Sequence, residues 1–136
     1  MPMQLSVSID IADAIQSALN AMGTNACARP LPRDLAASLP ITLVEPIGGG
    51  ERAAHVLDRF PVRLSTWAAT PAEAVAEANL AMARLCSCAG GELGGVPCYR
   101  VSPLSTPYEP TDPAHPDIPR AVQTAHLWVR TTTTNE

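Results

Sequence analysis

The segment RFPVRLSTWAATPAEAVAEANLAMARLCSCA, residues 59–89, constrains the fold most. A strand-like run ends at Trp67-Ala68-Ala69, and Thr70-Pro71-Ala72-Glu73 then supplies a helix start. The Thr70 hydroxyl can accept the Glu73 amide while the Glu73 carboxylate reaches back to the Thr70 amide. Pro71 falls at the first helical position, where a missing N–H costs nothing. The strand pairs expected on either side of this unit then define a small α+β domain.

The rest of the chain supplies the partners of that unit. Ile11, Ile15, Ala18, Leu19 and Met22 recur on one face of a helix expected over residues 9–22, with Asp10 and Asp13 near its positive end. Gly23-Thr24-Asn25 ends it, and the prolines at 30, 32 and 40 mark an irregular linker with one turn at 34–38. Strands are expected at 41–45, 56–67, 96–102 and 120–132. In the second, Phe60, Val62 and Leu64 alternate with Arg63 and Ser65, so one face is buried and the other is wet. Residues 48–55, opened by Gly48, Gly49 and Gly50, read as the flexible loop of a long hairpin, and 71–88 as the second helix. Residues 103–119 hold six prolines and read as a long loop, while 131–136 read as a frayed tail. The expected fold is α+β: one domain over 1–136 with a four-stranded, mainly antiparallel sheet and two helices on one face, in the order α-β-β-α-β-β.

At 136 residues the chain has room for one modest core. Apolar residues make up 46%, but many are Ala, so helix and sheet can approach closely while each residue buries little area. Association would add burial. The net charge of −4 argues against a protein that grips nucleic acid. All nine basic residues are Arg, which fits either a GC-rich coding sequence or contacts that use the bidentate guanidinium. No apolar run reaches membrane-spanning length, and the N-terminus lacks the basic region of a secretory leader.

Catalytic chemistry has no footing in the sequence. Cys86-Ser-Cys88 is not a zinc-knuckle spacing, and Cys27 and Cys98 would have to converge on it to make a metal site; buried thiols are the expected reading. His55, His115 and His126 are scattered, and no nucleophile elbow, phosphate-binding loop or metal-protease motif occurs. Glu109, Asp112 and Asp117 match no calcium-loop spacing. No catalytic residue, cofactor or metal is expected. Trp128, His126 and Arg130 share one face of the last strand; either a helix covers that face or it carries an anchor for a partner. Arg120 can hold the loop by pairing with Asp112 or Asp117, or can act across a subunit seam.

Local pieces along most of the chain resemble the tail terminator (tail-completion, head-to-tail joining) proteins of long-tailed bacteriophages. After the N-terminal helix comes the linker running from Leu31-Pro32 to Leu39-Pro40, then Ile47-Gly48-Gly49-Gly50. Asp58-Arg59-Phe60-Pro61-Val62-Arg63-Leu64 follows, then Trp67-Ala68-Ala69-Thr70 and a helix opening with Glu73-Ala74. The last pieces are Pro107-Tyr108-Glu109-Pro110, Asp112-Pro113, Pro119-Arg120-Ala121-Val122 and the strand end Val129-Arg130. Where the family often has an aromatic after the Pro-Arg pair, this chain has Ala121.

The resemblance implies a non-enzymatic virion protein. It implies a homo-oligomeric ring of about six subunits that caps the tail tube, stops its growth and docks the head-side connector. Genomic DNA would pass through the bore without specific binding, and an acidic chain suits such a channel. Location would be the tail-head junction of the virion, after assembly in the host cytoplasm, with no membrane partner. The residues assigned to subunit or partner contacts are Gly48, Gly49, Gly50, Arg52, Tyr108, Asp112, Arg120, Trp128 and Arg130. A glycine-tipped hairpin and a proline-rich loop make suitable docking arms because prolines lower the entropy lost on binding. Two other readings stay open: another neck protein, such as a stopper or connector adaptor, and a non-viral α+β binding module with a pocket at His126 and Trp128.

Overall fold

A computed structural model describes residues 4–54 and 56–135. The elements are β1 (Gln4–Val7), α1 (Ile11–Ala21), β2 (Ala26–Cys27), β3 (Ile41–Pro46), β4 (Glu51–Ala54), β5 (Leu57–Trp67), α2 (Pro71–Cys86), β6 (Gly91–Leu93), β7 (Val96–Pro103), β8 (Arg120–Arg130) and β9 (Thr132–Asn135), with one 3-10 turn at Ala36–Ser38. The chain is α+β, but the sheet is not four-stranded. Seven strands form a mixed sheet in the order β2-β3-β5-β8-β7-β6, with β4 also on β5, and β1 pairs with β9 as a separate two-stranded sheet. The four expected strands are β3, β5, β7 and β8, and they form its antiparallel middle. The sheet is mixed because β2 joins β3 in parallel.

The missed strands share a physical cause. β2 has two residues and β6 three, too short for any alternation to show. β1 and β9 are largely polar and pair only with each other across almost the whole chain, so the tail expected to fray is a strand. β4 continues the edge that β3 occupies along β5: β3 pairs with positions 62–67 and β4 with 57–59. The glycines at 48–50 therefore mark a break within one side of the hairpin, not its tip.

Both helices start as their sequences dictate. The Asp10 carboxylate accepts the Asp13 amide at 3.2 Å at the start of α1. The Thr70 hydroxyl accepts the Glu73 amide at 3.2 Å at the start of α2. Ile11, Ile15 and Leu19 from α1 meet Met82 and Leu85 from α2 over Val44, Val62, Leu64, Ala125, Leu127 and Val129 of the sheet. Ala74 and Ala78 of α2 pack on Ala68 and Ala121, a contact of small side chains. In that close approach the buried Gln123 amide donates to the Ala78 carbonyl at 2.6 Å. The chain order β5-α2-β7 spans β8, because β5 and β7 are each antiparallel to it and so run the same way.

Candidate interaction surface

The odd-numbered positions of β8 from 121 to 129 face the helices, so the even-numbered ones face away from them. Register then defines the second face of the sheet. Arg59 lies opposite Trp128, Pro61 opposite His126, Leu57 opposite Arg130 and Arg63 opposite Thr124. Arg100 lies opposite Trp128 on the other side, and Glu45 opposite Arg63. Neither helix covers the face that carries Trp128, His126 and Arg130.

Half of this second face is covered, by irregular chain. Leu35, Ile41 and Trp67 form a buried cluster with Leu31, Leu39 and Ile118 from the linker and the 103–119 segment. That segment is tied along β8. Tyr108 and Val122 exchange both backbone hydrogen bonds. Arg120 donates to the carbonyls of Pro110 and Thr111, each at 3.3 Å, rather than pairing with an acid. Its guanidinium also lies 5.9 Å from the centre of the Trp67 ring. Asp112 is buried. Burial alone would raise its pKa, yet His115, the Ala114 amide, the Trp67 indole and the nearby Arg120 charge together hold it below the ordinary carboxylate value.

The other half is open and dominated by arginine. Arg63 reaches Glu45 at 3.3 Å. Arg59 Nε lies 3.4 Å from Glu51, an attraction without an aligned hydrogen bond. Arg59 also donates to the Gly49 carbonyl at 3.1 Å and contacts the His126 ring at 3.1 Å. His126 meets Trp128 edge-on at 6.0 Å, and the Arg100 guanidinium stacks 4.9 Å over the Trp128 ring. Arg100 and Arg130 are exposed and have no carboxylate partner among the described residues.

The residues assigned from sequence therefore separate into three places. Gly48, Gly49 and Gly50 lie in the break between β3 and β4, where the Gly49 carbonyl takes Arg59, and with Trp128 and Arg130 they border the open face. Tyr108 and Asp112 belong to the anchored segment, and Arg120, the first residue of β8, holds that segment at the Trp67 end. Arg52 lies on the helix side, where it and Ser8 hold the buried Asp58 at 2.7 and 2.6 Å. His55 lies outside the described residues. Sequence reasoning missed Arg59, Arg63 and Arg100 as a group. The wet-face alternation of β5 carries Arg59 and Arg63, but no local pattern places Arg100 beside them.

The cysteines are free, and burial pushes the Cys98 thiol up to about 11, far from nucleophile range. No three His, Cys, Asp or Glu side chains converge on a metal position among the described residues. No helix among the described residues is long and apolar enough to cross a membrane. The sequence matches no family model and no curated protein.

Proposed function

We propose that this chain is a structural subunit of the head-to-tail joining machinery of a long-tailed bacteriophage. In this reading it is a tail terminator whose ring caps the tail tube, halts its growth and receives the head-side connector, with DNA passing through the bore. The observation that carries the reading is the run of local likenesses from the first helix to Val129-Arg130, which spans most of the chain.

Two structural features favour it. An open sheet face built of Arg59, Arg63, Arg100, Arg130, His126 and Trp128 suits contact with another protein better than small-molecule chemistry. The proline-rich segment is held in one shape by Tyr108, Asp112 and Arg120, as a preformed contact element should be.

The test is solution mass by light scattering followed by electron microscopy of the assembled peak. An annular particle near the mass of about six subunits is expected. If the chain stays monomeric, its binding to purified tail tubes is measured next, and failure to bind removes the reading. Removing the protein from an assembling phage should leave overlong or headless tails. Tails of normal length joined to heads would sink the proposal. Particles that locate the ring on the connector side would move the assignment to a neck stopper or adaptor.

A further inference from the structure

The charges of this molecule are sorted by side. The sheet face away from the helices carries Arg59, Arg63, Arg100 and Arg130, although the whole chain is acidic at −4. The outer face of α2 carries the opposite set. Glu73 is exposed and Glu77 half-buried, and neither has a cationic partner among the described residues. Between them and the helix end stands Leu80, exposed to 41%. Leu80 lies one turn beyond Ala76 and Glu77, so acid and apolar side chains share one stripe.

We propose that the open sheet face of one copy docks on the outer face of α2 of a second copy, in a head-to-tail contact. The half-buried Trp128 supplies the apolar contact for Leu80, while the Arg100 guanidinium stacked over its ring and that of Arg130 meet Glu73 and Glu77. A second copy fits this face better than nucleic acid. Two of its four arginines already have carboxylates beside them, Glu45 for Arg63 and Glu51 for Arg59. Those acids would repel a phosphate chain, whereas a protein surface with a few acids and one leucine needs only the two unpaired arginines. Two different faces meet, so the contact is heterologous and repeats from copy to copy. The inference deepens the ring reading and rests on it only for closure.

The test uses three charge-reversal variants of the full chain, their folding checked by circular dichroism. They are Arg100→Glu with Arg130→Glu, Glu73→Arg with Glu77→Arg, and all four changes together. Each two-site variant is expected to weaken self-association about tenfold or more in sedimentation equilibrium. Mixed one to one, the two should associate again and alternate along the assembly, because each sheet face then meets a helix face of opposite charge on the other variant. The four-site variant should regain association. A wild type that stays monomeric at every soluble concentration overturns the proposal. So does association indifferent to both reversals, or a sheet-face reversal that abolishes only the binding of a labelled DNA oligomer. Failure of this contact and failure of the ring are separable. A ring indifferent to the reversals removes the contact and keeps the ring, whereas an open filament sensitive to them does the reverse.

Discussion

The indole nitrogen of Trp67 donates a 3.1 Å hydrogen bond to the buried carboxylate of Asp112, joining the last residue of β5 to the middle of the proline-rich segment. The same carboxylate takes His115 Nδ1 at 2.9 Å and the Ala114 amide at 3.0 Å. One short side chain thus ties a segment with little core of its own to the covered half of the sheet.

Replacing Trp67 with Phe keeps the ring in the Leu35–Ile41 cluster but removes the donor. The loss should destabilise the chain by about 1–3 kcal/mol, because a buried charged acceptor is left short of a partner. Chemical denaturation measures it, and hydrogen exchange should quicken within 104–119 more than in β8. An unchanged midpoint with unchanged exchange would show that the indole bond does not hold the segment.

Acid should release the same segment. The Asp112 pKa is depressed in the folded state, so its stabilising effect is complete above the unfolded carboxylate value. That effect is lost as pH falls through the lower folded value. The stability difference between wild type and Asp112→Asn should therefore be constant from neutrality to about pH 5 and shrink below about pH 4. Denaturation midpoints of both proteins across that range check it. A difference that grew on acidification would contradict the assigned direction.

The glycines of the β3–β4 break should not be equivalent. A Cβ at Gly48 meets nothing within 4 Å, so Gly48→Ala should be near neutral. A Cβ at Gly50 would lie 2.8 Å from the Arg59 carbonyl oxygen, which is backbone and cannot step aside. Gly50→Ala should cost about 1–3 kcal/mol through local distortion. Gly49 at φ +93° resists substitution for a different reason, its left-handed backbone. Thermal melting of the Gly48 and Gly50 variants distinguishes the two effects, and equal melting temperatures would contradict them.

Arg52 should act on folding rather than on assembly. It holds Asp58, which is only 5% exposed and also takes the Ser8 hydroxyl. Arg52→Met should destabilise the protein by about 1–3 kcal/mol, since the Asp58 carboxylate would lose its cation. It should leave the subunit affinity of the folded chain unchanged, as measured by sedimentation. A variant with normal melting and weakened association would place Arg52 at an interface after all.

Local chemistry was legible from the residues alone. Thr70-Pro71-Ala72-Glu73 specified where α2 begins because capping and proline geometry act within one turn. The alternation of Phe60, Val62 and Leu64 specified the buried side of β5 because pleating has period two. The positions of β3, β7 and β8 followed in the same way, and so did the packing face of α1. What the residues could not specify was pairing. β1 and β9 are polar strands whose stability comes from each other across the length of the chain, and β4 reads as loop until its register with β5 is known. The hold of Asp112 on Trp67 is likewise nonlocal.

The same division applies to the candidate surface. The sequence by itself determined an alanine-rich α+β domain, its two helices, its central strands and the wet alternation that carries Arg63 and Ser65, because each depends on neighbours a few residues apart. Only the tertiary structure decided that the linker and the proline-rich segment cover half of the face away from the helices, and that Arg100 joins Trp128 on what remains open. Those outcomes depend on strand order and register, which arise from contacts between residues far apart in the chain and leave no periodic trace in either partner.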